Sequence, residues 1–271
     1  MIQVVNCPIL DSRHEHLAKL VSMTYEKKVT KTAEIFTKSP PKVAGGYSVF
    51  SNNLAVLALY EAVINNDLFK SKSLFYLSAL SQLKACMDSQ AINMFYKTHI
   101  QVAFQSIFSD AVHLIPAFSK IRHKDEESLN GKPSWVSYGL GRLYQAGLVK
   151  DWDTIKHFCL LFKDKGWLEK EPWLKQRLDF YGALCEQNAF KVESTLADIL
   201  SVESVIKLNK EFKHLPLGKF MCAPGMWFAK LAWICGYQIE IDHPLIISEL
   251  LPVKPLDYYD NPYEFLEDPI F

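Results

Sequence analysis

The segment "WFAKLAWICGYQIEIDHPLI" (residues 227–246) places an aspartate beside a histidine, a pair that could perform acid–base chemistry. In a catalytic dyad the histidine takes a proton from a nucleophile while the carboxylate orients its ring. The sequence identifies no nucleophile near Asp242 and His243. Gly236 is suited to end a helix in the left-handed conformation, and Pro244 restricts the residue before it to an extended backbone. We therefore interpret the pair as a corner of the chain.

The other candidates for chemistry each have a simpler structural explanation. His14 and His16 lie two positions apart, so that on a helix they point to different faces, whereas helical zinc pairs use positions i and i+4. The glycines of "GLGRLYQAG" (residues 139–147) lack the preceding strand and the spacing of a dinucleotide-binding loop, and we expect Gly139 and Gly141 to permit close helix packing instead. The sequence therefore predicts no catalytic residue, no metal site and no cofactor, and we do not expect an enzyme.

The six cysteines are scattered along the chain, and none of them belongs to a C-x-x-C pair. In a reducing compartment such residues usually serve as small buried hydrophobic side chains, which is the role that we expect here. They are Cys7, Cys86, Cys159, Cys185, Cys222 and Cys235.

Composition places the chain among globular proteins and argues against two classes of partner. Of its 271 residues 49% are hydrophobic and 22% are charged, and 30 basic residues balance 30 acidic ones. Nonspecific binding of nucleic acid requires a basic surface, which a neutral chain does not favour. The longest uncharged apolar stretch, residues 54–60, is much shorter than the ~20 residues of a membrane span, and residues 1–16 lack the pattern of a signal peptide. We therefore expect a cytoplasmic protein that binds neither nucleic acid nor membranes.

Helix signals are abundant along the chain, whereas strand signals are scarce. The first helix is predicted to begin after Asp11, a plausible N-cap, and to continue to Phe36; Pro40, Pro41 and the glycines at 45–46 are predicted to end it. Further helices are predicted over residues 52–64, 68–87, 91–121, 134–148, 152–165, 172–187, 190–212 and 224–235. No segment gives a convincing sheet, and the fold class that we predict is all-α.

Three segments share one pattern: "YEAVINNDLFKS" (60–71), "YQAGLVKDWDTI" (144–155) and "YGALCEQNAFKV" (181–192). In each, Tyr is followed by Ala two residues on and by Asp or Asn seven residues on, and a second amphipathic run follows. We interpret this pattern as a pair of antiparallel helices, in which the small Ala permits close approach and the Asp or Asn caps the second helix. The capping residues are Asp67, Asp151 and Asn188. Recurring pairs predict an irregular α-solenoid-like array of stacked helix pairs.

The last part of the chain differs in character from the rest. We expect residues 1–251 to form a single all-helical domain, with a possible sub-boundary near residues 122–134, and residues 252–271 to form an extended, acidic and aromatic tail. Residues 237–271 contain eight acidic residues against one lysine, Lys254, so the preceding 236 residues must be net basic by the same amount. Five prolines in this stretch preclude a long helix.

The C-terminal part of the sequence resembles the bacterial immunity protein 49 family. The resemblance rests on the small-residue helix "APGMWFAKLAWICG", the short run "YQIEID" and the ending "HPLIISELL", with similar helical segments upstream, and it covers residues 135–251. It implies an all-helical cytoplasmic protein that neutralises a cognate toxin delivered by a contact-dependent or secreted system. It transfers no functional residues, because such a family has no shared active site.

The resulting hypothesis is a stoichiometric inhibitor that binds a protein toxin and occludes it. Opposite charge speeds such an encounter, tyrosines supply contact area, and carboxylates could mimic phosphate for a nuclease-like toxin. The predicted contact residues are Asp257, Tyr258, Tyr259, Asp260, Tyr263 and Glu264. The alternative for these aromatic residues is that an extended chain packs them onto the protein's own helices.

A second hypothesis belongs to a different class of function. A stack of helix pairs could serve as an adaptor or regulatory module that binds several partners along a concave groove. One tight partner encoded beside the gene would favour the immunity hypothesis, whereas several loose partners would favour the adaptor.

Overall fold

Helices dominate the protein, and the all-α fold class is confirmed. The computed structural model describes residues 1–3, 13–42, 44–87, 105–122, 134–171, 173–212, 218 and 220–266. The predicted N-cap Asp11, the cysteine at position 7, most of the possible boundary at 122–134 and the end of the tail after residue 266 lie outside these ranges. Among the described residues, the helices with defined bounds are α1 (Arg13–Leu20), α2 (Glu26–Lys38), α3 (Ala44–Val63), α4 (Leu68–Met87), α5 (Ile115–Lys120), α6 (Ser134–Val149), α7 (Trp152–Asp164), α8 (Trp167–Lys170), α9 (Leu174–Cys185), α10 (Ala189–Leu200), α11 (Val202–Phe212) and α12 (Ala223–Ile234).

Short irregular elements join these helices. A π-helical turn, Val21–Tyr25, connects α1 to α2 without a break, and 3-10 turns cover Val112–Leu114 and Ser248–Leu250. In the described part of the chain, the extended structure consists of β1 (Ile2–Gln3) and β2 (Ile241–Asp242), which pair in parallel. This small pairing ties the start of the chain to the segment that follows α12.

Three boundaries differ from the sequence-based expectation. Gly45 and Gly46 belong to the start of α3, and a Cβ atom on Gly46 would lie 2.7 Å from the Cβ of Pro41, so glycine lets the turn between α2 and α3 close tightly. The helix predicted over 190–212 is divided at Ser201, whose extended backbone (ψ 147°) separates α10 from α11. Within the helix predicted over 91–121, the described part breaks at Asp110, which has a positive φ of 57°.

The three predicted helix pairs share one connection. Each predicted N-cap accepts a hydrogen bond from the backbone N–H three residues later: Asp67 from Lys70 at 2.9 Å, Asp151 from Thr154 at 3.0 Å and Asn188 from Lys191 at 3.1 Å. The residue before each cap has a left-handed backbone: Asn66 (φ 52°), Lys150 (φ 56°) and Gln187 (φ 53°). A left-handed residue ends one helix and the capping side chain begins the next, which reverses the chain within a few residues.

These connections generate a stack of helix pairs. The pairs are α3 with α4, α6 with α7 and α9 with α10, and successive pairs in the second half contact through α7 and α9 and then through α10 and α12. The close packing predicted at Gly139 is confirmed, because this residue of α6 lies directly against the ring of Phe162 in α7. Glycine at this position therefore sets the distance between the two helices.

Replacing Gly139 by alanine tests this packing. A Cβ atom at this position would lie 2.7 Å from Cζ of Phe162, so the ring must move. Overpacking of this kind costs about 1–3 kcal/mol, which should exceed the gain of up to ~1 kcal/mol from removing glycine from a helix. We expect Gly139→Ala to lower the free energy of unfolding, measured by urea denaturation.

Gly182→Ala is the matched control, because no heavy atom lies within 4 Å of the Cβ position of Gly182 in α9. Only the gain in helix propensity applies there, and the free energy of unfolding should rise by up to about 1 kcal/mol. Equal effects of the two substitutions would contradict the proposed contact between α6 and α7.

Candidate functional site

The described part of the acidic tail is an extended segment that lies against the helices. We call residues 252–266 the strap. Its first aromatic anchor is Tyr259, whose ring centroid lies 4.9 Å from that of Tyr76 in α4. The Tyr259 hydroxyl donates a hydrogen bond to the carbonyl oxygen of Ser109 at 2.5 Å and accepts one from the backbone N–H of Leu256 at 3.1 Å. This side chain therefore ties the strap both to the helices and to itself.

A second set of aromatic contacts fixes the far part of the strap. The Tyr263 ring lies 5.4 Å from Phe50, and the Phe265 ring lies 5.5 Å from Phe36, both in edge-to-face arrangements. Such pairs contribute about 0.5–1.5 kcal/mol each beyond the area that they bury. Together with Leu266, which is fully buried, these residues attach the strap to α2 and α3.

A buried ion cluster holds the beginning of the strap. Lys72 of α4 lies 2.7 Å from Oδ2 of Asp110, and Lys230 of α12 lies 2.6 Å from Oδ1 of the same carboxylate. The three side chains are almost completely excluded from solvent. One carboxylate thus sits between two ammonium groups, so the cluster carries a formal charge of +1 inside the protein.

Because the two ammonium groups share one carboxylate, backbone carbonyls in and next to the strap supply their remaining hydrogen-bond acceptors. Lys230 Nζ donates to the carbonyl oxygens of Leu250 at 2.8 Å and Pro252 at 3.1 Å, and Lys72 Nζ donates to that of Lys254 at 2.6 Å. Leu250 ends the 3-10 turn and Leu251 keeps a helical backbone (φ −74°, ψ −44°), so the first of these carbonyls comes from a turn and the others from the segment that follows it. The N–H of Lys254 in turn donates to Asp110 at 3.2 Å.

Burial changes the acid–base behaviour of this cluster. Exclusion from water lowers the pKa of Lys230 from 10.5 to about 8, against the opposing attraction of Asp110, and the neighbouring Lys72 lowers it further. An ammonium group in an apolar interior is unfavourable unless acceptors surround it. The buried ammonium groups therefore require the carbonyl acceptors that the strap provides.

The structure divides the six predicted contact residues into two groups. Tyr259 and Tyr263 are half-buried and pack on the helices. For these two residues the structure agrees with the alternative, in which the tail packs its aromatic side chains onto the protein's own helices. The other four are exposed, with Tyr258 at 71% of its full accessibility. The exposed residues are Asp257, Tyr258, Asp260 and Glu264. We call these four residues the outer face of the strap.

The Asp-His corner contains no assembled dyad. Gly236 ends α12 with a φ of 99°, as predicted. Asp242 is exposed and accepts a hydrogen bond from the Gln3 side chain at 3.4 Å, whereas His243 is buried and its Nδ1 accepts the backbone N–H of Leu245 at 2.9 Å. Neighbouring residues of an extended chain point to opposite sides, which separates the two groups. The histidine thereby shapes the turn that follows β2.

Four cysteines in the described part of the chain, Cys86, Cys159, Cys185 and Cys235, are free thiols. Burial raises the pKa of Cys86 and of Cys159 to about 12 and that of Cys235 to about 11. Because the thiolate is the nucleophilic form, these three residues are poor nucleophiles at neutral pH. Cys222 accepts a hydrogen bond from the N–H of Gly225 and so acts as the N-cap of α12.

The described residues form neither a metal-binding cluster nor a membrane-spanning helix. Among the described residues, no three His, Cys, Asp or Glu side chains are placed to hold a metal ion. No described helix combines the length and the apolar character that crossing a membrane requires. Three depressions on the described surface, with volumes of about 220–400 Å³, lie beside α1, β2 and α10, and none of these three is lined by the ion cluster.

Sequence reasoning missed Lys72, Asp110 and Lys230, although one signal was present. Lys230 is the single charged residue of the otherwise apolar α12. It also occupies a position that recurs in three helices. In each helix the carbonyl of an alanine accepts the backbone N–H five residues later, and these alanines are Ala146, Ala183 and Ala232. The residues two positions before them are Tyr144, Tyr181 and Lys230. A lysine where the other two helices carry a core tyrosine indicates a buried charge that needs a partner.

Comparison with known proteins adds no relative. No protein family matches the chain, and neither a curated protein nor a solved structure is similar to it.

The lowered pKa of Lys230 predicts how stability depends on pH. Between about pH 8 and 10.5 the unfolded chain binds a proton that the folded protein does not, so the contribution of this group to the free energy of unfolding rises with pH. The slope is at most about 1.4 kcal/mol per pH unit. Lys230→Met removes the group, so the wild type should gain about 1.6 kcal/mol relative to this variant between pH 8 and 9.5 in denaturant titrations.

The difference between the two proteins should stay constant from pH 6 to 7.5, where Lys230 is protonated in both states. Stability curves that run parallel from pH 6 to 9.5 would show that Lys230 titrates like an exposed lysine, which would contradict its buried position.

Proposed function

We propose that this protein is a cytoplasmic immunity protein that binds a cognate protein toxin and occludes it stoichiometrically. The observation that carries the proposal is the strap, which displays exposed acidic and aromatic side chains while its other side is anchored. Tyr258 is 71% exposed, and Asp257 and Asp260 beside it are exposed as well. The resemblance of residues 135–251 to the immunity protein 49 family supports the same function.

Anchoring makes the outer face suitable for tight binding. A tail that is disordered before binding would lose conformational entropy on forming a complex, whereas a segment already fixed by Tyr259, Tyr263 and Phe265 loses less. Exposed tyrosine is among the residues that most often carry binding energy at protein interfaces. The outer face therefore combines a fixed backbone with an aromatic side chain suited to insertion into a partner.

Charge identifies the kind of toxin surface that fits. The outer face contributes Asp257, Asp260 and Glu264 to solvent, and the single lysine of residues 237–271 is Lys254. A basic surface on the partner would be attracted over a distance of about 8–10 Å at physiological salt, which raises the association rate. Basic surfaces are typical of proteins that bind nucleic acid, and a nuclease-like toxin would present one.

A helical-repeat adaptor is the second candidate, and the recurring helix pairs favour it. The same left-handed residue and capping side chain recur at the connections before α4, α7 and α10. Stacks of such pairs create extended binding surfaces. The two functions differ in their partners, because immunity requires one tight ligand and an adaptor several weaker ones.

Charge reversal on the outer face tests the immunity function. In a growth-rescue assay, the protein is co-expressed with the product of the neighbouring open reading frame. We expect the wild type to restore growth and Asp257→Lys/Asp260→Lys to weaken binding of that product by at least about tenfold, because repulsion replaces steering. The melting temperature should not fall, since both residues are exposed and outside the anchoring contacts.

The control is Glu34→Lys/Glu169→Lys, which makes the same change of net charge at two exposed residues of α2 and α8. It should protect as well as the wild type. Full protection by the strap variant would show that the outer face does not contact the toxin. If the neighbouring product is not toxic, the proposed immunity function is wrong.

A further inference from the structure

The strap is held in the manner of a bound peptide. In the described part of the chain, no backbone–backbone hydrogen bond joins residues 252–266 to the helices. Side chains hold its main chain instead: Lys230 and Lys72 of the helices donate to the carbonyls of Pro252 and Lys254, and Asp110, which lies in a turn, accepts the N–H of Lys254. Main-chain recognition of this kind depends little on the sequence of the segment that is bound.

We call the surface that the strap covers the groove, and its two ends differ chemically. One end presents the ammonium groups of the ion cluster, which need carbonyl acceptors. The other end presents aromatic rings from three helices, which receive the aromatic side chains of the strap. These rings are Phe36 of α2, Phe50 of α3 and Tyr76 of α4. The groove thus accepts an extended backbone followed by spaced aromatic residues.

The strap follows one edge of α4 through the groove. Residue 254 contacts Lys72 and residue 259 contacts Tyr76, so both chains advance in the same direction. Its three aromatic anchors, Tyr259, Tyr263 and Phe265, stand at positions i, i+4 and i+6. This spacing, with carbonyls free on the residues before it, defines the ligand that the groove would select.

We propose that the strap is a built-in ligand of a peptide-binding groove, and that a partner segment with aromatic residues at i, i+4 and i+6, the last two brought together by a turn as in the strap, displaces it. The inference stands apart from the proposed function, in which a partner meets the outer face of the docked strap. A displacing segment provides the same carbonyls to Lys72 and Lys230, so the buried charge keeps its acceptors. The strap competes as a tethered ligand, whose effective concentration is of the order of millimolar.

A labelled peptide with the sequence of residues 252–266 tests the groove on the full-length chain. In Tyr259→Ala/Phe265→Ala the built-in strap is weakened, while the rings that line the groove are intact. The open fraction of the groove rises, and the apparent affinity for the peptide rises in proportion. Fluorescence anisotropy should show binding to this variant at least about tenfold tighter than to the wild type, and the peptide should raise the melting temperature of the variant.

The control peptide carries alanine at the positions of Tyr259 and Phe265 and should neither bind the variant nor stabilise it. If the double variant fails to fold, Tyr259→Phe replaces it, since this change removes only the hydroxyl that bonds to Ser109 and Leu256. Equal binding of the intact peptide to variant and wild type, or absence of binding to a folded variant, would overturn the proposal. The assay contains no toxin, so its outcome is separate from that of the growth-rescue experiment.

Discussion

Two ammonium groups buried on one carboxylate are the constraint on which this structure depends. Lys72 and Lys230 both contact Asp110, and the single negative charge cannot satisfy both. In an apolar interior the remaining donors need acceptors, because an unpaired buried charge is costly. The carbonyls of residues 250, 252 and 254 provide them, and this requirement brings a proline-rich, non-helical segment against a helical protein.

The helix pairs place the three charged residues where they can meet. Lys72 lies in the second helix of the first pair, and Lys230 lies in α12, which packs on the last pair. Asp110 lies at the turn where a longer predicted helix breaks, and its left-handed backbone (φ 57°) accompanies that break. The repeated connection thus generates the stack of helix pairs. The ion cluster arises where α12 departs from the repeat and carries a lysine in place of the tyrosine.

The strap has two sides with different roles. Its inward side chains are aromatic and hydrocarbon, and they pack on Phe36, Phe50 and Tyr76. Its exposed side chains include the acidic residues Asp257, Asp260 and Glu264, with Tyr258 exposed among them. Alternation of this kind lets a short segment pack on the protein with one side while the other side faces solvent. It also explains why composition alone could not separate contact residues from anchors.

The elements that could be predicted from the sequence are those whose signals are local. Helix periodicity, the caps Asp67, Asp151 and Asn188 and the close approach at Gly139 each depend on residues a few positions apart or on one small side chain, and all were predicted. The breaks at Asp110 and Ser201 escaped prediction because the apolar period runs through both. The ion cluster and the path of the strap, in contrast, became visible only in the folded structure. Residues 72, 110 and 230 are far apart in the chain, and whether a lysine is solvated or buried depends on what the rest of the chain packs around it.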